Sequence, residues 1–239
     1  MDAAYAAAYP DLYRRHWWWR VREEILLRHI GRLLSDRRDA RILDVGCGAG
    51  LFFDALDGFG RIEGIESDPA ALAASGRWRS RIHAGELDAS YTPSAAFDLI
   101  LMLDVLEHIE APDPLLRRAA DLLAPAGHLL VTVPAFNWLW TAHDELNKHA
   151  RRYSAAELRR ALEQAGLRVE QSSYLFQSLV VPKVLVRMKE AMTSPRPHVP
   201  AIPPPWINDV VQRWFRAEHA VMGWLPFGSS LLSVARRRE

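Results

Sequence analysis

The sequence predicts an α/β chain organised on a doubly wound, mostly parallel sheet of seven strands. Three observations predict it. Short apolar runs alternate with helical segments between residues 41 and 134, the pattern of a parallel sheet covered on both faces. The first apolar run ends in a glycine turn that opens a helix. A chain of 239 residues can bury one α/β core without needing a second.

The elements follow in order. Residues 11–35 read as a helix in which Trp18, Ile25, Leu26 and Ile30 share a face while Arg22, Glu23 and Arg28 turn outward. A short basic linker, 36–41, follows. The buried strands are expected at 41–45, 61–66, 81–84, 97–103 and 127–134, with helices around 49–58, 69–76 and 112–123. Residues 136–153 are polar, aromatic and histidine-bearing, with no clean period, and are expected to form an active-site loop. Ser154 is placed to cap a helix over 155–165, which Gly166 ends. Residues 167–176 supply a sixth strand and 231–235 a seventh. Between them, 177–229 form an insertion with two amphipathic stretches and a tract, 194–205, that Pro195, Pro197, Pro200, Pro203, Pro204 and Pro205 keep extended. The expected organisation is an aromatic helical lead-in (1–40), an α/β core (41–176), a helical cap insertion (177–229), and a last strand with its tail (230–239).

Composition excludes more than it selects. A formal net charge of +1 gives no electrostatic case for nucleic acid. The single cysteine, Cys47, excludes an intrachain disulfide and a multi-cysteine zinc site, and fits a reducing compartment. Residues 1–10 lack the basic start and apolar run of an export signal, and 175–188 are interrupted by Pro182, Lys183 and Arg187. A cytoplasmic location is expected, with contact at the inner face of the membrane left open.

The strongest local signal is Ile42-Leu43-Asp44-Val45-Gly46-Cys47-Gly48-Ala49-Gly50. Its glycines allow positive φ and close approach of a ligand, and the helix that follows offers unpaired N–H groups. A dinucleotide fingerprint would need a third glycine at Leu51, so a nicotinamide-dependent oxidoreductase is disfavoured. The D-x-G-x-G-x-G pattern instead resembles the first motif of class I S-adenosylmethionine-dependent methyltransferases, and residues 40–135 are similar in order and spacing to the branch containing the ubiquinone- and menaquinone-type enzymes. The resemblance implies a Rossmann-like fold and S-adenosyl-L-methionine as cofactor. It places Asp44 at the amino acid part of the cofactor, Glu66 at the ribose, and Glu86 and Leu87 at the adenine, with Gly46, Cys47, Gly48, Gly50 and Ser67 also in the cofactor site. Phe97-Asp98-Leu99-Ile100-Leu101-Met102-Leu103-Asp104 resembles the family's fourth strand, which implies that Met102, Leu103 and Asp104 line the pocket near the methyl.

Chemistry at the acceptor needs alignment, exclusion of water and, for a protonated nucleophile, a base. His143 and His149 can serve as that base near neutral pH, with Asp144 orienting either, and His143 is placed first. His108 ranks below them. The His-Asp-Glu-His run is read as polar groups bonding one another, and no metal is expected. Arg151, Arg152 and Tyr153 can clamp a carboxylate or phosphate. The W-L-W-x-x-H-D loop resembles that of bacterial methyltransferases encoded with glycan and polyprenyl-phosphate sugar enzymes, and Tyr13, His16, Trp17, Trp18 and Trp19 resemble the aromatic lead-in of related enzymes. The resulting expectation is methyl transfer, on oxygen, to a small-molecule, sugar or lipid-linked acceptor; a non-catalytic S-adenosylmethionine-binding scaffold is the alternative. No nucleic-acid partner is expected, because no N-P-P-Y-like motif follows the fourth strand. The segment 177–229 is expected to pack on the domain, form a homodimer or touch a membrane.

Overall fold

The computed structural model describes residues 3–37, 39–193 and 199–238. The first five residues of the proline tract, 194–198, lie outside them, as do Met1 and Asp2 of the lead-in, Arg38 of the basic linker and Glu239 of the tail.

The chain opens with two helices, α1 (Ala3–Arg15) and α2 (Trp17–Leu33), where one was expected. His16 breaks them. It is extended, at φ −77° and ψ 135°, and its ring accepts the Trp18 N–H, so it caps α2. The inward face of α2 carries Trp19, Ile25, Leu26 and Ile30, and also Arg22, which the sequence reading turned outward. Arg22 follows Trp18 and precedes Leu26 by four residues, so helical geometry places it on that same face.

Strands and helices then alternate: β1 (Ala40–Val45), α3 (Phe53–Leu56), β2 (Gly60–Glu66), α4 (Pro69–Ala74), β3 (Ile82–Ala84), β4 (Phe97–Leu103), α5 (Asp113–Leu122) and β5 (Leu123–Pro134). They are followed by α6 (Ala142–Leu146), α7 (Ala155–Gln164), β6 (Leu167–Leu175), α8 (Val180–Met192), α9 (Pro205–Met222) and β7 (Ser230–Arg237). The 7-stranded sheet has the order β3-β2-β1-β4-β5-β7-β6. β7 is antiparallel to β5 and β6, and the other pairs are parallel. This is the Rossmann-like, mostly parallel sheet predicted from the alternation.

Strand alternation divides the core in two. On one face Ile100 and Met102 of β4 pack with Leu129 and Val131 of β5 under Leu116, Leu158 and Leu162 of α5 and α7. On the other, Leu99 and Leu101 join Ile42 and Leu130 beneath Val21, Ile25 and Ile30 of α2. Strand order reverses between β1 and β4, leaving a crevice beyond their C-terminal ends, where such sheets bind ligands.

The chain between β6 and β7 holds α8 and α9, and α9 packs on α2. Trp17 stacks on Phe215 with ring centroids 4.8 Å apart. Arg216 forks onto Glu24. Asn208 accepts the Trp17 N–H at 2.8 Å and donates to the Arg15 carbonyl at 2.9 Å, satisfying the backbone exposed by the α1–α2 break. None of the described helices is long and apolar enough to cross a membrane.

Ser154 caps α7 as predicted, its side chain bonded to the Glu157 N–H and the Glu157 carboxylate returned to the Ser154 N–H. Ser154→Ala should lower stability by about 1 kcal/mol, read in urea as a shifted midpoint with an unchanged m-value.

Candidate active site

The turn after β1 forms one wall of the site. Gly46 and Gly48 hold φ of 71° and 57°. The N–H groups of Gly46 and Cys47 donate to the Ile65 carbonyl of β2, at 2.8 and 3.2 Å. A Cβ at Gly46 would meet Val105 Cγ2 at 2.8 Å, whereas one at Gly48 would meet no described residue within 4 Å, so the turn is packed behind Gly46 and open at Gly48. Glu66 accepts the Gly48 N–H on Oε2 at 2.8 Å and the Asp68 N–H on Oε1 at 2.7 Å. Both carboxylate oxygens retain lone pairs for further donors.

Asp44 is buried at the end of β1, and burial pushes its carboxyl up to about 7 against the lowering effect of Arg22. Burial also raises the Cys47 thiol, as do Asp44 and Glu66, which keeps it protonated.

The turn faces a cleft of about 1990 Å³ that Gly46, Cys47, Gly48, Glu66, Ser67, Glu86, Leu87, Leu103 and Asp104 all line. Asp44 faces an adjoining small recess with Gly46, Cys47 and Leu103. Two predicted residues are not part of this lining. Gly50 backs onto Trp78, Ile82 and Phe53, and Met102 is fully buried in the core beside Val131. The strand's alternation explains Met102: its side chain shares the face of Ile100, opposite Leu101.

The far half of the cleft comes from separate segments. Arg22 reaches from α2 to Asp104 Oδ2 at 2.8 Å and to Thr132 Oγ1 at 2.9 Å, and Thr132 donates to Asp104 Oδ1 at 3.0 Å. Asp104 sits at φ 59°, a left-handed backbone in which a non-glycine residue is strained. The sequence reading missed Arg22 because a lone cation in a helix was assigned to water.

Asp144, fully buried, organises the loop after β5. It accepts hydrogen bonds from Thr141 N at 2.9 Å, His149 Nδ1 at 2.8 Å, and Arg152 Nε and Nη2 at 2.8 and 2.9 Å. Burial opposes its ionisation, yet the His149 hydrogen bond and the Arg152 charge hold it well below the usual carboxylate range. Asp144 thus orients His149 by receiving its Nδ1–H.

His143 takes another course. Its Nε2 meets Asn147 at 3.1 Å, its ring lies edge-on to Tyr5 at 5.8 Å, and burial, followed by Lys183, lowers it to about 4. It lines the cleft as a neutral ring.

The predicted anion clamp is not free. Arg152 is spent on Asp144 and, at 3.0 Å, on the Ala135 carbonyl. Arg151 donates to Glu110 O at 2.5 Å and Tyr153 to Leu106 O at 3.2 Å.

Glu107 and His108 follow β4 and also line the cleft. Glu107 is fully buried, neither carboxylate oxygen has a hydrogen-bond partner among the described residues, and burial, then Asp104, raises it well above its ordinary value. The His108 ring lies 4.9 Å from that of His149. Only the adjacency of Glu107 and His108 was visible in sequence, since His149 joins them across the fold.

The methyltransferase-domain family profile matches residues 18–172. A probable S-adenosylmethionine-dependent methyltransferase of Mycolicibacterium smegmatis is 30% identical over 172 residues, 70% of this chain and 65% of that protein. A ubiquinone biosynthesis O-methyltransferase of Bradyrhizobium diazoefficiens is 31% identical over 105 residues, 41% of each chain. The chain therefore spans less than two thirds of either relative.

Among solved structures, the complex of the Haloferax volcanii Trm112 methyltransferase activator with a methyltransferase-like chain aligns at a TM-score of 0.62 and 20% identity, over 99% of this chain and 95% of that one. The N-methyltransferase NodS of Bradyrhizobium japonicum, crystallised with S-adenosyl-L-homocysteine, aligns at 0.53 and 17%, over 90% and 87%. These likenesses concern the fold.

Because the Asp144 carboxyl is depressed in the folded chain, its bonding stabilises fully above the ordinary carboxylate range and is lost as pH falls below about 4. Asp144→Asn should cost about 3–5 kcal/mol at neutral pH by leaving Arg152 buried and unpaired. Urea midpoints of the two proteins should converge as the pH is lowered from 6 toward 3.

Proposed function

This chain belongs to the methyltransferase-domain family, and from that premise we propose that it is a class I S-adenosylmethionine-dependent methyltransferase acting on an oxygen of a small-molecule, sugar or lipid-linked acceptor. The observation that carries the reading is the Glu66–Gly48 bond at 2.8 Å, which joins the end of β2 to the open part of the β1 turn where both face the cleft.

The residues present fit the cofactor. Asp44, raised by burial, gains most from a cationic donor such as an ammonium group. Glu66 has acceptor capacity left for ribose hydroxyls, and Leu87, buried beside exposed Glu86, offers an apolar surface for a base. Bound there, S-adenosyl-L-methionine supplies an electrophilic methyl group on a sulfonium.

The acceptor end is assigned to the wall of Glu107, His108 and His149. His149 Nε2 takes the proton of the acceptor hydroxyl, and Asp144 holds the ring and stabilises the imidazolium that results. This moves the base from His143, whose lowered basicity suits a neutral wall of the acceptor pocket better. The O-methyltransferase name of the matched Bradyrhizobium relative supports oxygen as the acceptor atom.

The cap supports a lipid-linked acceptor. Pro182, Lys183 and Val186 of α8 line the cleft. Trp206, Val210, Trp214 and Trp224 stand exposed along and just beyond α9, with Arg213 among them. An apolar, basic face of this kind suits the inner surface of a membrane carrying the acceptor.

In calorimetry, S-adenosyl-L-homocysteine should bind and NAD and NADP should not; absence of S-adenosyl-L-homocysteine binding would defeat the reading. Glu66→Ala should weaken that binding by about 1–3 kcal/mol. His149→Ala should lower kcat on hydroxyl acceptors found by screening, with S-adenosyl-L-homocysteine affinity unchanged, and an unchanged kcat would remove His149 as the base.

A further inference from the structure

We propose that Lys183 of α8 binds an oxyanion carried by the acceptor, a phosphate or a carboxylate, in the half of the cleft built by the loop after β5. That the anion belongs to the acceptor rests on the methyl-transfer reading; the anion site itself does not. Lys183 lines the cleft together with His143, Asn147 and Arg152.

The spacing of α8 puts it there. Lys183, Arg187 and Glu190 follow one another at four and three residues and so share one face of the helix. Arg187 donates to the Trp140 carbonyl at 2.7 Å, and Glu190 Oε2 accepts the Ala142 N–H at 3.1 Å. These two bonds lay α8 along the start of α6 and bring Lys183 against the loop that Asp144 organises. The Lys183 charge accordingly contributes to the low basicity of His143.

Charge matching then singles Lys183 out. Arg22 is paired with Asp104, and Arg152 with Asp144. Asp144 has no acceptor capacity to spare for a further cation, since Thr141, His149 and Arg152 already occupy its oxygens. Burial disfavours a charge on Glu107, so that carboxyl is no counterion either. Among the described residues Lys183 has no hydrogen bond and no carboxylate at ion-pairing distance.

An unmatched ammonium in this position is costly. Burial lowers Lys183 to about 8, and Arg152 adds to the effect while Asp144 opposes it. The cation is still the main form at neutral pH. It also stands in the first turn of α8, where the helix dipole disfavours positive charge. An anion entering through the cleft offsets the burial, the repulsion from Arg152 and the dipole together. The sequence reading gave this task to Arg151, Arg152 and Tyr153, which the fold turns onto the protein itself, and it leaves a cation from α8 in their place.

The chain has three lysines, Lys148, Lys183 and Lys189, so reductive methylation of the full chain with 13C-formaldehyde labels three side-chain amines without removing their charge. The Lys183 signal is the one absent from Lys183→Arg or Lys183→Met, whichever folds. With S-adenosyl-L-homocysteine saturating the cofactor half, inorganic phosphate and acetate are titrated separately at constant ionic strength. The expected result is a saturable shift of the Lys183 signal, at least about tenfold larger than at Lys148 or Lys189, and a titration midpoint raised by about one pH unit toward that of a free lysine. Saturation by phosphate at the lower concentration assigns a phosphorylated acceptor, and saturation by acetate at the lower concentration a carboxylated one. A Lys183 signal that neither anion moves, or that moves no more than the other two, overturns the site. Failure to bind S-adenosyl-L-homocysteine counts against the methyl-transfer reading alone; a selective Lys183 shift in its absence still supports the anion site.

Discussion

A carboxylate sealed from water organises the loop that follows β5. Asp144 is surrounded by donors from Thr141, His149 and Arg152, and none of them is dispensable, because each lost bond would leave a polar group buried without a partner. That requirement fixes more than one side chain. It starts α6 through the Thr141 capping box, sets the His149 ring, and anchors Arg152 against the Ala135 carbonyl at the end of β5. The loop between β5 and α7 is therefore ordered by one ion, although its regular structure is limited to a 3-10 turn over Asn137–Leu139 and the short α6.

The opposite half is ordered by backbone. The β1 turn is pinned to β2 through the Ile65 carbonyl and closed by Glu66. The two halves meet at Asp104, where Arg22 and Thr132 secure a left-handed residue at the tip of β4. Reversal of strand order between β1 and β4 brings them to one crevice.

This division explains what could be read from the sequence. The glycine turn and Glu66 belong to consecutive elements, so their placement on the cleft follows from short-range pattern, as does the sheet from its alternating runs. Met102 stands at the end of β4 without lining the cleft, because alternate residues of a strand face opposite sides and its side chain shares the face of Ile100. Arg22 was misplaced because helix amphipathicity assigns charge to water by default, and only Asp104, which lies 82 residues further on in the sequence, reverses that rule. Glu107 and His149 share no sequence window, and their approach depends on a bond between Ala150 and Glu107 that composition cannot announce. The burial of Asp144 was equally hidden, since a carboxylate in a polar loop normally lies on the surface.

Asn208 carries a consequence for how such a chain can diversify. It accepts from Trp17 and donates to Arg15, so a residue of the late insertion completes the backbone of the first two helices. Loops that vary between relatives are usually exchangeable parts, added or trimmed without disturbing the scaffold beneath. Here the segment between β6 and β7 is a keystone: exchanging α9 for a shorter connection would strand two backbone groups at the α1–α2 break and bare the ring of Trp17, so that segment can drift only through side chains that leave Asn208 and the Trp17–Phe215 stack in place.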